Sequence, residues 1–329
     1  MPKSKLVTIF GGSGFVGRYI ARRMAQQGWR VRVAVRRPGE AGFVRPYGAV
    51  GQVEPVFCNI RDDASVEVAM QGSDAVVNCV GTFAAKGKNN FDAVQAEGAG
   101  RIARIAAAQG VANLVHISAL GADAQADSGY ARSKGEGEAA VQAAFPGAVI
   151  LRPSVIFGYE DNFFNRFGQM ASRAPVVPVI GAETKFQPVW VDDVAAAAVQ
   201  GVLGQAVGGI YELGGPEVKT FRDWMKEMFG VIQRRRGVLA LPFWVGSVIA
   251  GAVGLVESLT FGLVTNTVLT KDQVKQLKVD NVVSEGALGF ADLGIEPVAP
   301  EAVLPDYMWT YRPSGQYAAI KDSAQNLKV

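Results

Sequence analysis

Tyr130 and Lys134 stand four residues apart, a spacing that puts two side chains on one face of a helix. A lysine cation beside a phenol favours the phenolate and draws down a pKa that starts near ~10, so such a tyrosine can pass a proton to or from a substrate. Alone, the spacing is that of an ordinary surface pair, and the surrounding chain has to decide. Far upstream, GGSGFVG places Gly11, Gly14 and Gly17 at three-residue intervals around Ser13. Gly11 permits a tight turn, Gly14 lets backbone approach a pyrophosphate, and Gly17 lets a helix pack closely on a sheet. The amides of Phe15 and Val16 would then face phosphate oxygens with the positive end of a helix dipole behind them.

The elements around these residues have the order that such chemistry needs. Leu6 to Phe10 is an apolar run before the turn, and Val16, Ile20 and Met24 behind it fall on one helical face. Gly28 ends that helix, and Val31, Val33 and Val35 make a second strand, giving one βαβ unit. Arg36 and Arg37 end that strand, nineteen residues beyond Gly17, and Arg18 lies just past the turn. An acidic residue in this place would bind ribose hydroxyls, whereas a guanidinium suits a 2′-phosphate, so the sequence favours NADP(H), that is NADPH, over NAD(H).

Further strands are expected at Val53 to Cys58, Asp74 to Val80, Asn113 to Ser118 and Val149 to Phe157, with helices between them, one of them from about Asn90 to Gln109. Strands alternating with helices at this pace predict an α/β fold: a doubly wound parallel Rossmann sheet covered on both faces. Gly81 would let the cofactor pass the end of the fourth strand. Asp192 is a candidate N-cap for the alanine-rich helix after it, and Thr220 with Asp223 reads as a capping box.

Composition narrows the function. A chain of 329 residues with 49% hydrophobic content can bury one large core and a smaller appendage. A net charge of +3 without a long basic run argues against nucleic acid. Cys58 and Cys79 fall on strands that a doubly wound order separates by two others, so no disulfide is expected. The only histidine, His116, lacks clustered partners for a metal or a hydrolytic triad and reads as a core residue. The start, MPKSK, runs straight into the first strand and leaves no room for a signal or transit peptide.

Gly237 to Val256 is twenty residues without a charge, preceded by Arg234, Arg235 and Arg236. It reads as a buried or partner-covered helix, as a helix on a membrane surface, or as a membrane span, the last disfavoured by Pro242 and four glycines. From Asp306 the tail lacks periodicity and reads as an arm that a partner must order. The expected organisation is 1–230 for the NADP-binding domain, 231–305 for a small, mostly helical C-terminal domain, and 306–329 for the tail.

GGSGFVG, the block SGYARSKGEGEAAVQAAFPGAVILRPSVIFGYEDNFFNRF, then FQPVWVDDVA, LPFW and TKDQVKQLKVDNVV resemble the atypical short-chain dehydrogenase/reductase (SDR) proteins that serve as the NADPH-binding accessory subunit of respiratory complex I, NADH:ubiquinone oxidoreductase. The resemblance covers most of the chain. It implies a catalytic-type pair, Tyr130 and Lys134, that is vestigial, with Lys134 also holding the nicotinamide ribose. It further implies adenine contacts along Asn59, Ile60, Arg61 and Asp62 and cofactor contacts at Val80, Gly81, Ser118 and Pro153. The family's third catalytic member, a Ser or Thr hydroxyl, falls on Ala119, with Ser118 one residue early. Removal of a comparable oxyanion donor costs roughly 10²–10³ in rate, which weakens a catalytic reading and leaves cofactor binding untouched. The implied role is structural, beside other complex I subunits near the quinone entrance, at the membrane surface and with no metal. Without a transit peptide this suggests a peripheral protein on the cytoplasmic face of the bacterial inner membrane. The alternative is a free-standing NADP-dependent reductase or sugar-nucleotide epimerase of the extended SDR type.

Overall fold

The computed structural model describes residues 4–83, 87–248, 250–251 and 270–317. The chain divides into two compact units, each assembled from three segments: Met1–Ser154, Val191–Gly214 and Val283–Pro297 in the first, and Val155–Trp190, Gly215–Val282 and Val298–Val329 in the second. This division departs from a boundary at residue 230, because the excursion after Ser154 and the chain beyond Val298 share one apolar core.

The first unit opens with β1 (Leu6–Phe10), α1 (Phe15–Gln26), β2 (Arg30–Val35), β3 (Val53–Phe57), α2 (Asp63–Met70), β4 (Ala75–Asn78), α3 (Glu97–Ala108), β5 (Asn113–Ile117), α4 (Gly129–Ala144) and β6 (Val149–Pro153). The predicted helix from Asn90 is a π-turn over Asp92–Ala96 running into α3. After Pro153 the run VILRPSVIF divides rather than continuing as one strand: β7 (Ile156–Phe157) belongs to the second unit, where it pairs with β10 (Val189–Trp190). Between them lie α5 (Phe164–Arg173), β8 (Val176–Ile180) and β9 (Lys185–Phe186). The chain then returns to the first unit with α6 (Val191–Val202) and β11 (Gly209–Leu213).

The resulting sheet has seven parallel strands in the order β11-β6-β5-β4-β1-β2-β3. Every position of β1 is buried, as a strand covered on both faces requires. Phe10, Val76, Leu114 and Ile150 on one face join Met70 and Ile102 in a single core cluster. Asp192 does not cap α6 from outside. It lies in the first helical turn and holds Arg23 of α1 through bonds of 2.8 and 2.7 Å. Cys58 and Cys79 are free, at the ends of strands separated by β1 and β2.

The second unit continues with β12 (Lys219–Thr220), α7 (Phe221–Val231) and β13 (Gly237–Leu241). Its core is aromatic: Phe163 stacks on Phe221 at 5.5 Å, and the buried Trp224 indole donates to the Phe186 carbonyl at 3.0 Å. Thr220 caps α7 by accepting the Asp223 amide. The uncharged segment does not open as a helix, because Gly237–Leu241 pairs in parallel with β8. Helix follows over 243–248, and residues 249 and 252–256 lie outside the described ones. No helix among the described residues is long and apolar enough to cross a membrane.

Nor is the chain after Asp306 an arm as far as residue 317. The helix Pro300–Met308 buries Tyr307 and Met308, and the Tyr307 hydroxyl donates to Asp161 at 2.7 Å. Asp161 also accepts from the amides of Gly158, Phe163 and Asn165, and burial holds its carboxyl above the ordinary range. Residues 318–329 lie outside the described ones. Among the described residues, Glu217, Glu227 and Glu301 form the one group of metal-type ligands, and the Lys219 ammonium contacts all three.

Candidate functional site

The carboxyl ends of β1, β2, β3 and β4 open on a cavity of about 300 Å³. It lies at the switch point of the sheet, where β1 is flanked by β2 on one side and β4 on the other. Its wall gathers Gly11, Ser13, Gly14 and Arg36 at one end, and Asn59, Ile60, Val80 and Gly81 beyond them. Phe15, Val16, Gly17 and Arg18 stand behind that wall in the first turn of α1.

The glycine turn is fixed by close backbone approach. Gly11 has φ +75°, and a Cβ on Gly17 would come within 2.4 Å of the Gly11 carbonyl oxygen and 2.7 Å of the Gly12 Cα. Gly14 occupies the N-cap of α1, where no side chain caps the helix and no acidic residue sits in the first turn. The free first-turn amides and the helix dipole are therefore available to an anion. Arg18 is drawn inward, bonding the Ser13 carbonyl at 3.1 Å and lying over the Phe43 ring. A second hollow of about 450 Å³ shares Ser13, Val35 and Arg36 with the first and adds Arg37 and Glu40. Arg37 pairs there with Glu40 at 3.1 Å.

Behind Gly81 of the wall, the neighbouring side chains are committed to one another or to main chain. Lys134 is buried in α4, and its ammonium donates to the Ile117 carbonyl at 3.0 Å. Burial pulls Lys134 down to about 8, against the opposing pull of Glu138 and Cys79. Gln95 donates to Ser133 at 2.9 Å, while its Oε1 is buried without a partner. That oxygen lies 3.5 Å, and Lys134 Nζ 3.7 Å, from where a Cβ on Gly81 would stand. An orphaned acceptor and an ammonium beside a glycine of the wall fit the hydroxyls of a ribose. α4 reaches this position because Gly137 lets it touch the π-turn: a Cβ there would lie 2.2 Å from the Gln95 carbonyl oxygen.

Tyr130 corrects the expected electrostatics. Its ring stacks on Phe83 at 5.4 Å and meets Phe91 edge-on at 6.1 Å. Burial raises its phenol above the ordinary value, with no compensating pull from Lys134. Ser118 does not reach the cavity wall. Its hydroxyl donates to Glu138, which Arg152 grips through bonds of 2.9 and 2.6 Å. Pro153 ends β6, where its carbonyl accepts from Leu120 at 3.0 Å, and it too is absent from the wall.

The sequence reading missed Cys79, Thr82, Asn89 and Gln95, whereas Arg61, expected at the adenine, lines the cavity. The first two adjoin predicted residues in the chain. Asn89 and Gln95 follow a loop and a π-turn, and no periodicity marked them. His116 is buried as expected, bonded through Nδ1 to Asn78 at 3.1 Å, and burial pulls it down to about 3.

A seven-stranded parallel sheet with a glycine turn at its switch point and a Tyr-x-x-x-Lys helix beside it defines an NAD(P)-binding Rossmann protein of the SDR type. The chain belongs to the NAD dependent epimerase/dehydratase family, whose pattern matches residues 7–214. It is 32% identical over 316 residues to the mitochondrial NADH dehydrogenase (ubiquinone) 1 alpha subcomplex subunit 9 of Arabidopsis thaliana, covering 94% of this chain and 79% of the relative. It is 36% identical over 194 residues to the ceramide reductase of Caulobacter vibrioides, covering 59% of this chain and 60% of that one. Among solved structures it shares the fold of the NADPH-dependent quinone oxidoreductase QOR2 of Escherichia coli, complexed with NADPH. There the TM-score is 0.69 at 20% identity, over 92% of this chain and 98% of the other.

Proposed function

We propose that this protein is an accessory subunit of respiratory complex I that holds NADPH as a resident ligand and does not turn it over. The observation that carries this reading is a contrast: the cavity has a phosphate cradle at one end, while the serine hydroxyl nearest the catalytic-type position, Ser118, stands off the cavity wall and is taken up by Glu138, with Ala119 beside it. Gly14 and the first turn of α1 receive the pyrophosphate, Arg36 the 2′-phosphate, and Lys134 with Gln95 the nicotinamide ribose. When bound, NADPH would supply a hydride. Ala119, with only a methyl group, leaves a substrate carbonyl without the second hydroxyl donor that would polarise it beside Tyr130, so that hydride meets a poor acceptor.

The relatives that are complex I subunits over most of this chain's length support the same assignment. Docking lies beside the junction of the peripheral and membrane arms near the quinone entrance, on the cytoplasmic face of a bacterial inner membrane. Leu239, Trp244 and Val248, all more than half exposed after the three arginines, form a surface for other complex I subunits at the membrane boundary. The test is gentle solubilisation of native membranes: the protein should migrate with NADH dehydrogenase activity and release NADPH on denaturation. A protein that migrates alone contradicts the assignment.

The second reading, a free-standing NADP-dependent reductase, draws on the ceramide reductase relative and on the Tyr130–Lys134 pair in α4. Steady oxidation of NADPH by a carbonyl substrate that disappears in Tyr130→Phe would establish it.

A further inference from the structure

We propose that Glu40 is a specificity-determining residue, a carboxylate set against the 2′-phosphate subsite that holds down its affinity by engaging Arg37. The inference rests on the NADPH reading above and goes beyond it. The hollow of about 450 Å³ beside the glycine turn is walled by two guanidiniums, Arg36 and Arg37, and by one carboxylate, Glu40. Glu40 Oε1 holds Arg37 Nη1 at 3.1 Å, while Arg36 has no ion pair among the described residues. The hollow therefore offers a phosphate monoester one uncommitted cation rather than two. Such a monoester carries about −1.5 to −2 charges at neutral pH, so it is attracted by the arginines and repelled by Glu40. A ribose hydroxyl feels no such repulsion and can donate to a carboxylate in this position.

The structural alternative is that Glu40 merely supports its own segment. It lies in the first turn of the helical stretch Pro38–Tyr47, and Arg37 is its i,i+3 partner. With Arg37 and Glu40 side chains 76% and 71% exposed, that pair adds little to stability. A phosphate can displace Glu40 from Arg37, and the carboxylate then remains nearby as a like charge.

The experiment isolates the subsite with two small probes, 5′-AMP and adenosine 2′,5′-bisphosphate, titrated calorimetrically into the full-length protein. Glu40→Gln should tighten the bisphosphate by roughly three- to tenfold and leave 5′-AMP unchanged or slightly weaker. The gain should shrink in about 1 M salt, where the screening length is about 3 Å. Glu40→Asp keeps the charge and should retain the wild-type ratio. If Glu40→Gln folds with an unchanged melting midpoint and shifts both probes alike, or neither, the proposal is wrong. The parent reading fails separately: if the wild-type protein binds both probes equally and Arg36→Ala changes neither, no 2′-phosphate subsite exists. A wild-type preference that Arg36→Ala removes and Glu40→Gln does not touch overturns the role of Glu40 alone.

Discussion

The two ends of the dinucleotide cavity are built from different materials. At the phosphate end the donors are backbone amides, held by glycines packed against one another's main chain, with Gly17 fitted against the Gly11 carbonyl. Near the end proposed for the nicotinamide, the polar side chains on α4 and β5 are largely spoken for: Lys134 by Ile117, Ser118 by Glu138 off the cavity wall, and Glu138 by Arg152. Backbone geometry survives as long as the fold does, whereas side-chain chemistry can be redirected into structural bonds one residue at a time. Under the proposed function, a protein of this kind keeps binding a cofactor that it does not turn over.

Four measurements would break or sharpen that contrast. The largest effect concerns the buried polar groups behind the nicotinamide end. His116 is fully buried and held neutral down to about 3. Because its folded pKa is depressed, its contribution to stability is complete above the unfolded value near ~6.5 and is lost as pH falls toward the folded value, roughly 5 kcal/mol in all. His116→Gln should flatten this acid sensitivity. Denaturant unfolding at several pH values would show the gap between the two proteins changing, and a constant gap would place the acid lability elsewhere.

At the phosphate end, Gly17→Ala forces a Cβ into main chain that cannot yield without opening the turn. NADPH affinity should fall by roughly a hundredfold, and undiminished calorimetric binding would mean that the turn is not the cradle. Arg36→Asp should weaken NADPH by about tenfold or more and spare NADH, since a charge-assisted bond contributes about 1.5–3 kcal/mol. Equal effects on the two cofactors would remove Arg36 from the 2′-phosphate subsite. The smallest effect belongs to Tyr130→Phe, which keeps the ring between Phe83 and Phe91. NADPH binding should change by less than about twofold. A carbonyl-dependent rate present in the wild type and absent in this variant would erase the difference between the ends.

What the sequence revealed and what it hid follow the range of the interactions concerned. The glycine turn was legible because strand, turn and helix constrain one another within about a dozen residues. The Tyr130–Lys134 spacing was legible for the same reason, but its electrostatics were not, since burial rather than the lysine governs the phenol. Asp192 looked like a helix cap because its partner, Arg23, lies 169 residues away. The helix around Tyr307 carries Pro305 within it, and its anchor, Asp161, is 146 residues distant, so the segment passed for a loose arm. The uncharged stretch from Gly237 suggested a helix until a strand partner, β8, was available to it.

The threading of the chain through both units bears on how the molecule is made. Glu212, at the edge of the sheet, accepts the Ser284 amide through its side chain at 2.7 Å and donates its own amide to the Leu288 carbonyl at 2.8 Å, while Asp161 waits for Tyr307. A nascent chain of 280 residues still on the ribosome has none of these partners, although the glycine turn and all seven strands of the main sheet have already been synthesised. Neither unit has all its segments until the chain beyond Val283 and Val298 has been synthesised, and no single proteolytic cut releases either one whole.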